Sequence, residues 1–532
     1  MSPQAIEQYR AAFESHTLTR SQIAALLHTV SELSRQVEWF KRQLFGAKSE
    51  RRLVEPDPSQ GTLGGSFDEI PAPLPAAPKI RIEAHERERK LKQPAPDGEQ
   101  AAPFFDEAKV PVEVIDVPNP EVAQLAAEDY EIVGEKVTYR LAQRPGAYVV
   151  LKYVRQVIKR RDTGALACAP APAGVIEGSR ADASFIAGMM VDKLVYHLPL
   201  YRQHQRLQAA GLRLSRPWLT QLMQTAASLL EPVYEAQLAS VLASRVKAID
   251  ETPIKAGRLA PGKLRPAYFW PIYGQGDEIC FAYFADRKWD NVEKLLGLKP
   301  PDGAVLLTDG FGAYAEYAAK VGLTHALCWA HSRRELYEAR HIEPQAVDEA
   351  LAMIGELYAI EQDIGGRGLT GEAKRAHRQQ HAKPKVEAFL HWIDAQFGRQ
   401  GLLPSSPFTK ALAYIRERRD GLKVYLDDPD VPMDTNHLER ALRTIPLGRK
   451  NWMFCWTEIG ARHIGMLQSL LTTCRLHDVD PYEYLVDVLQ RIGEHPARRV
   501  EELTPRRWKQ LYAANPMRSP VDKRAAPVKS AA

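Results

Sequence analysis

The segment that most limits the fold lies between residues 245 and 331, where short apolar runs alternate with helical stretches. Apolar runs with strand character occur at 246–250, 267–274, 279–285, 304–309 and 325–330. Helical patterns near 290–297 and 312–321 separate the last three of these runs. Three hairpin-like strands followed by a strand–helix–strand crossover predict an α/β fold built on a mixed sheet.

The remainder of the chain divides by composition and periodicity. Residues 130–172 alternate apolar and polar side chains around Arg144-Pro145-Gly146, which predicts a small β-module. In chain order, we expect a coiled-coil helix at 1–52, a Pro/Ala-rich linker at 53–103, the β-module at 104–180, a helical region at 181–240, the sheet region at 241–344, a helical block at 345–428, a further region at 429–495 and a basic tail at 496–532. Within this tail, residues 516–532 are expected to have no fixed structure.

Composition sets limits on partners and location. Lysine and arginine number 71 against 66 acidic residues, a net charge of only +5, so nucleic-acid binding would require local basic patches. Five cysteines without a CxxC pair exclude a disulfide scaffold and a cysteine-rich zinc module, and no zinc is expected. The sequence has neither an apolar run of about 18–20 residues nor a signal-peptide pattern, so we expect a cytoplasmic protein without a membrane partner.

Residues 19–47 carry a heptad pattern. Its apolar positions alternate spacings of three and four: Ile23, Leu26, Val30, Leu33, Val37, Phe40 and Leu44. β-Branched residues at position a and mostly leucine at position d favour a parallel dimer, so we expect a homodimer or higher oligomer through this segment. The alternative is an amphipathic helix that packs on its own chain.

Residues 182–231 have helical periodicity with a break at Gly211. Ser215 is a favourable N-cap, and Pro217 suits the first turn of a helix predicted over 218–230. Two helices joined by such a turn fit a helix-turn-helix DNA-binding unit, and an ordinary helical hairpin fits equally well. In the DNA-binding interpretation, the side chains that face DNA would be Arg213, Arg216, Thr220 and Gln221.

Two aspartates stand at the ends of predicted strands, where an α/β sheet presents reactive groups. Asp250 closes VKAID and Asp309 closes AVLLTD. Because side chains alternate along a strand, Asp250 and its neighbour Glu251 are expected to point to opposite faces. A metal site is one interpretation of the two aspartates, and turn or helix-cap formation is the other.

A third carboxylate would complete an oxygen-rich site for Mg²⁺. Glu439 lies on a predicted helix that is preceded by the capping residue Asp434. Nearby cations suited to phosphate contacts are Arg440, Arg443, Arg449 and Lys450. From the residues alone, a surface ion pair between Glu439 and Arg443 is favoured over a metal ligand.

Cys328 and His331 form a compact CWAH cluster. They supply two metal ligands at most, and no partner pair is visible in the sequence. A structural role near the end of the sheet is therefore favoured over zinc binding.

The order of the motifs resembles the transposases of the insertion sequence 66 family, which are large bacterial DDE enzymes. The matching motifs are LFGAKSER, HLPLYRQ, IDETPIK, YFWPIYG, LLTDGFGAY, CWAHSRRELYEA, LERALRTIPLGRKNWMF and HDVDPYEYLVDVL. The resemblance covers nearly everything from Gln43 to Trp508. It implies an RNase H-like catalytic core made from 241–344 and 429–495, with 345–428 as a helical insertion.

The resemblance also implies a site and a reaction. Asp250, Asp309 and Glu439 would form an acidic triad that binds two Mg²⁺ ions, with Mn²⁺ as an alternative ion. The enzyme would bind the terminal inverted repeats of its element, cleave these DNA ends and join them to target DNA, with accessory proteins of the same element as expected partners. Cys328 and His331 resemble a CxxH element with a structural or DNA-positioning role. Backbone phosphates would be held by Arg443, Arg449 and Lys450.

One departure concerns residues 104–180, where relatives usually carry a Cys-rich zinc-binding segment and this chain has Cys168 alone. Phosphate contacts there would come from the basic strand residues Lys152, Arg155, Lys159, Arg160 and Arg161. Two other functions stay open. One is a catalytically silent DNA-binding protein derived from a transposase, against which the intact triad argues. The other is a cellular RNase H-type nuclease, against which the dimerising and DNA-reading segments argue.

Overall fold

The computed structural model describes residues 104–523, with short gaps at 121, 123–124, 127, 145 and 400–402. The predicted coiled coil, the linker and the LFGAKSER motif lie outside the described residues, as do residues 524–532. Among the residues that are described, no helix combines the length and the apolar composition that crossing a bilayer requires.

The predicted β-module is confirmed as a four-stranded sheet. Its strands are β1 (Val112–Val117), β2 (Tyr130–Arg144), β3 (Ala147–Arg160) and β4 (Leu166–Cys168). Strands β2 and β3 form a long antiparallel hairpin, β1 pairs parallel with β3, and β4 pairs with the end of β3. Gly146 has a φ of 86° at the hairpin turn, a backbone conformation that glycine adopts at little cost.

Three helices follow this sheet: α1 (Ala183–Leu194), α2 (Leu200–Ala209) and α3 (Arg216–Ala243). Helix α3 is more than twice as long as the predicted helix over 218–230, because it continues through Pro232. Leu230, Val233 and Gln237 are buried on both sides of the proline, so tertiary packing offsets the hydrogen bond that proline removes. The boundary expected at residue 240 therefore falls inside a continuous helix.

The predicted mixed sheet is confirmed. Its strands are β5 (Val246–Ile249), β6 (Thr252–Ala260), β7 (Lys263–Gly274), β8 (Glu278–Phe284), β9 (Val305–Thr308) and β10 (Thr324–Leu327). The strand order is β10-β9-β5-β7-β6, and β8 pairs with β7. Strands β10, β9 and β5 are parallel, whereas β7 is antiparallel to β5, β6 and β8.

Helices cover both faces and one edge of this sheet. Helices α4 (Asp290–Leu296) and α5 (Gly312–Val321) bury Val292 and Tyr314 against Trp270 on one face. The outer edge of β8 is covered by a later helix, where Ser469 Oγ accepts a hydrogen bond from the Phe281 N–H at 2.8 Å. Such pairing satisfies main-chain groups that an open sheet edge would leave free.

The block expected to be helical at 345–428 is confirmed as helical. Its elements, with the helix before it, are α6 (Trp329–Glu338), α7 (Pro344–Gly366), α8 (Gly371–His377), a π-helical turn (Arg378–Ala382), α9 (Lys383–Phe397), α10 (Pro407–Glu417) and α11 (Arg419–Asp427). The fully buried Arg378 pairs with both carboxylate oxygens of Glu361 at 2.7 and 2.8 Å. It also donates to the main-chain oxygens of Tyr425 and Val431, so one side chain joins α7 to the end of α11.

The last described elements are α12 (Asn436–Leu442), α13 (Thr444–Asn451), α14 (Glu458–Leu476), α15 (Pro481–Arg491), a 3₁₀ helix (Ala497–Leu503), α16 (Pro505–Leu511) and α17 (Pro520–Lys523). The expectation of a segment without fixed structure at 516–532 is wrong for the part that is described, which ends at residue 523. Trp508 is 1% exposed and packs edge-to-face on Tyr484, and Val521 is fully buried. Ser519 Oγ donates to Asp182 at 2.6 Å, which ties this segment to the start of α1.

Candidate active site

Two of the predicted acidic residues lie at the same edge of the mixed sheet. Asp250 follows β5 and Asp309 follows β9. These strands are adjacent and parallel, so their carboxyl ends coincide. The third residue, Glu439, lies in the first turn of α12, and this helix contacts β7 of the same sheet.

The three carboxylates lie in one another's electric field. The pKa of Asp250 is raised to about 8, mainly by burial and in smaller part by the negative charges of Glu439, Glu251 and Asp309. The main-chain N–H of Glu251 donates to Asp250 Oδ1 at 2.7 Å and partly offsets this effect. A bound cation would favour the ionised form of Asp250, which burial and the neighbouring carboxylates disfavour.

The donor set suits a divalent cation. Within the part of the chain that the structure describes, Asp250, Asp309 and Glu439 make no ion pair with a lysine or arginine. Their free carboxylate oxygens are the ligands that Mg²⁺ prefers. Among the described residues, no three His, Cys, Asp or Glu side chains are close enough to hold a metal ion as they stand. The charge and the donor type of the three side chains nevertheless fit the ion.

Glu251, which follows Asp250, makes contacts with other side chains of the protein. The Glu251 side chain is 4% exposed and accepts hydrogen bonds from Arg287 Nε at 2.6 Å and from the Tyr314 hydroxyl. The Arg287 guanidinium lies 4.3 Å from the centre of the Phe311 ring, just after Asp309. Sequence reasoning did not single out Arg287, which lies outside the motifs and 36 positions from Glu251. It did not single out Tyr314 either, because the LLTDGFGAY motif contains this residue but does not show its contact with Glu251, 63 positions away.

The loop after β9 is held by the helical block. Asp309 Oδ1 accepts from the Phe311 N–H at 2.9 Å, and the Tyr414 hydroxyl donates to the Asp309 main-chain oxygen. Arg418 Nη2 donates to the Gly310 oxygen at 3.1 Å, and its guanidinium lies 3.8 Å from the centre of the Tyr414 ring. Gly310 has a φ of 93°, and a Cβ there would lie 2.6 Å from Arg418 Nε. Only glycine allows this approach.

Cys328 anchors the helix that carries Glu439. Its Sγ accepts from both the N–H and the hydroxyl of Thr435 at 3.2 Å, and its own N–H donates to Thr308 at 3.0 Å. Burial raises the pKa of the Cys328 thiol, which therefore stays protonated. This residue links the end of β9 to the start of α12.

His331 lies between the acidic residues. Its Nε2 is 3.8 Å from Glu439 Oε1, and its side chain is 11% exposed. Burial lowers the pKa of His331, and Arg334 lowers it further, while Asp309 and Glu439 act in the opposite direction. The two residues of the predicted CxxH pair therefore have different surroundings. Cys328 contacts the main chain of β9 and Thr435, whereas His331 lies beside Glu439.

The predicted phosphate-binding cations lie on the surface near Glu439. Arg443, Arg449 and Lys450 are exposed, and none forms an ion pair within the described ranges. Arg449 Nη1 donates to the Pro253 oxygen at 2.8 Å, which brings α13 to the start of β6. The surface ion pair between Glu439 and Arg443 that the residues alone favoured is not formed.

The predicted DNA-facing residues lie around the start of α3. Arg213, Arg216 and Gln221 are exposed, and Thr220 is half-buried with its hydroxyl donating to the Arg216 oxygen. The Ser215 side chain caps the helix at the Trp218 N–H, as predicted.

Five basic residues of the β-module were predicted to contact phosphates. Two of them make hydrogen bonds or ion pairs within the protein. Arg155 donates to Thr138 and Ala169, and Arg160 pairs with Asp162. Exposed or half-exposed cations remain at Lys152, Lys159 and Arg161.

Comparison with known proteins gives the family. Residues 178–463 match the transposase IS66 family, residues 469–506 match the IS66 C-terminal element, and residues 32–98 match the transposase C of IS166 homeodomain. Uncharacterized protein y4hP of Sinorhizobium fredii (strain NBRC 101917 / NGR234) is 30% identical over 515 residues, which cover 91% of this chain and 90% of that protein. Uncharacterized protein y4jD of the same organism is 27% identical over 521 residues, or 93% and 98% of the two chains. The chain belongs to the transposase IS66 family.

Proposed function

We propose that the protein is a DNA transposase that binds the terminal inverted repeats of its element, cleaves the ends to free 3′-hydroxyls and joins them to target DNA. The observation that carries this proposal is the position of Asp250 and Asp309 at the carboxyl ends of two adjacent parallel strands, with Glu439 on a helix that contacts the same sheet. The strand order and directions also support an RNase H-like core, with the helical block inserted before the helix of Glu439.

The three carboxylates would hold two Mg²⁺ ions, or Mn²⁺ in their place. When bound, such ions supply the positive charge that activates an attacking oxygen and stabilises the leaving oxygen at phosphate. The protein's own groups orient the carboxylates: Phe311 and Tyr414 fix the loop of Asp309, and Cys328 fixes the helix of Glu439. The exposed cations of α12 and α13 would hold the DNA backbone beside them.

Recognition and pairing of the ends are assigned to other segments. Helices α2 and α3 would read the end sequence as a helix-turn-helix, with Arg213, Arg216 and Gln221 at the DNA. The heptad segment at 19–47 would pair protomers so that two ends are held together. Accessory proteins from the same element complete the expected partners.

The decisive experiment measures Mg²⁺-dependent nicking and joining of DNA that carries the element's own terminal repeats. Wild type is compared with Glu439→Gln and with the matched control Glu338→Gln, an exposed glutamate of α6. We expect activity in wild type and the control, and none in Glu439→Gln. Equal activity in all three would remove Glu439 from the triad and make Glu335 the next candidate.

A different result would favour the silent DNA-binding alternative. If wild type binds the repeats but cleaves nothing, even with the products of the neighbouring genes present, the proposed chemistry is wrong. Cleavage without preference for the repeats would favour the nuclease alternative.

A further inference from the structure

The segment between α13 and α14 adds a short extension to the mixed sheet. Cys455 pairs with β6: its N–H donates to the Lys255 oxygen at 2.9 Å, and its oxygen accepts from the Gly257 N–H at 3.0 Å. Cys455 is 5% exposed, so its neighbours on either side must point away from the core. These neighbours are Phe454 and Trp456, which we call the aromatic ridge.

The aromatic ridge exposes apolar surface that packing does not use. Phe454 is 49% exposed and Trp456 is 39% exposed, and their ring centres are 6.1 Å apart at an angle of 84°. An aromatic side chain buries roughly 150–250 Å² when it is used in a core or an interface. Two half-exposed aromatic rings on one outward face therefore offer apolar surface that a ligand could cover.

The surroundings of the aromatic ridge are mainly basic. Lys255 is exposed beside Phe454 on the outward face of β6, and Arg449, Lys450 and Arg462 are exposed on the flanking helices. Glu458, the acidic residue of this region, is half-buried, with its side chain against Gly257. Cations next to exposed aromatic rings match the two needs of an unpaired nucleic-acid strand, which are charge for its phosphates and flat surfaces for its bases.

The aromatic ridge is connected to the candidate active site by one strand. Ala256, whose bridge partner is Cys455, lies six positions after Asp250. An extended chain rises about 3.3 Å per residue, so the aromatic ridge lies roughly 20 Å from Asp250. A strand of DNA that passes the acidic residues can reach it within several nucleotides.

We propose that Phe454 and Trp456 form a stacking surface for unpaired DNA bases. The proposal rests on the proposed function only for the source of the DNA, because stacking itself needs no end sequence. Base faces are hidden in a duplex and accessible in a single strand, so the aromatic ridge selects DNA that is locally unpaired next to the position of cleavage.

The test uses probes that lack the element's ends. Binding of a fluorescent oligo(dT) of about 12 nucleotides is compared with binding of the matched oligo(dT)·oligo(dA) duplex. The double variant Phe454→Ala/Trp456→Ala is compared with wild type and with Trp289→Ala, which removes a tryptophan that is 49% exposed at the start of α4. A thermal melt of each protein checks that the fold is kept.

We expect the double variant to lose oligo(dT) affinity by roughly ten-fold or more, and duplex affinity by less than about two-fold. Trp289→Ala should bind as wild type, and Trp456→Phe should restore most of the affinity because it keeps a ring. Unchanged oligo(dT) binding in a folded double variant, or an equal loss for both probes, would overturn the proposal.

The proposed function stands or falls separately. If wild type cleaves the ends while the double variant binds oligo(dT) as well as wild type does, the transposase proposal is kept and the stacking surface is refuted. If oligo(dT) binding depends on the aromatic ridge but wild type cleaves no ends, the stacking surface is kept and the transposase proposal is refuted. If the double variant binds oligo(dT) as wild type does but no longer binds a second protein, the aromatic ridge is a contact surface for a protein partner instead.

Discussion

The hydroxyl of Tyr414 donates a hydrogen bond to the main-chain oxygen of Asp309, across 105 positions of sequence. This contact joins the helical block to the loop of a candidate metal ligand. Arg418, on the next helical turn, holds the adjacent Gly310 oxygen at 3.1 Å. The helical block is therefore part of the support of the site as well as an insertion in the chain.

Tyr414→Phe removes this hydrogen bond and keeps the ring that stacks with Arg418. We expect the free energy of unfolding to fall by about 1 kcal/mol. We also expect the rate of end cleavage to fall by a larger factor than the affinity for the ends, because the loop of Asp309 loses one of its hydrogen bonds. Rates of cleavage and affinity for the ends are measured side by side. Asp309→Asn sets the lower limit of cleavage, and Tyr337→Phe, at an exposed position, should behave as wild type. Unchanged cleavage in folded Tyr414→Phe would remove the positioning role.

Cys328→Ala leaves the Thr435 N–H and hydroxyl without their acceptor in a buried place. An unsatisfied buried donor costs about 1–3 kcal/mol, so the free energy of unfolding should fall by this amount. Cleavage should fall further than stability explains, since Thr435 starts the helix of Glu439. Urea unfolding and cleavage assays check this, with Cys168→Ala at a partly exposed position as the control. Equal behaviour of both variants would contradict the anchoring role.

His325 makes the stability of the protein sensitive to acid. Burial lowers the pKa of His325 to about 4, and its Nε2 lies 2.9 Å from Thr308 Oγ1. The unfolded chain, with a histidine pKa of about 6.5, therefore binds the proton first as the pH falls, and stability is lost between pH 6.5 and 4.

His325→Gln removes this titration. Between pH 7.5 and pH 4.5 the variant should lose less unfolding free energy than wild type, by up to about 3 kcal/mol. Urea titrations at both pH values measure the difference, and His391→Gln, at an exposed position, should follow wild type. Identical acid dependence of His325→Gln and wild type would refute this assignment.

Trp508→Ala tests the packing of the C-terminal segment. Trp508 is 1% exposed, with its ring 5.5 Å from that of Tyr484. Truncation of a buried tryptophan costs about 3–5 kcal/mol, which a thermal melt would show as a clear fall in the midpoint. Leu511→Ala, in the same helix but 48% exposed, should have little effect. A melt of Trp508→Ala that matches wild type would mean that the packing of Trp508 does not hold this segment in the fold.

The elements with strong local periodicity were predictable. All five apolar strands and the helices between them are present, because alternation of apolar side chains and capping residues act over a few residues. Strand β6 was missed, since TPIKAGRLA contains a proline and a glycine, and its pairing with β7 is irregular at Lys255 and Arg258. Composition also misjudged the C-terminal segment, where a few buried side chains outweigh a basic, Pro-rich background.

The candidate site was also only partly predictable from the sequence. Asp250 and Asp309 could be found from strand ends. The N-cap of the helix of Glu439 is Thr435 and not the predicted Asp434, which accepts a hydrogen bond from the Asn436 N–H at 2.9 Å one position before the cap. Tyr414 and Arg287 could not be found, because their roles depend on contacts with residues far away in the sequence. Glu439 was ambiguous from its surroundings alone, and the separation from Arg443 in the folded chain removes the ion-pair interpretation.

The wide spacing of the three acidic residues has a consequence for synthesis of the protein. Chains fold from the N-terminus as they leave the ribosome, and Asp250 and Asp309 emerge well before Glu439 and the helix α14 that packs behind it. A chain whose translation stops between these points has α1 to α3 but not the third carboxylate. Under the proposed function, such a fragment would bind DNA ends without cutting them, and it would compete with the intact chain for these ends.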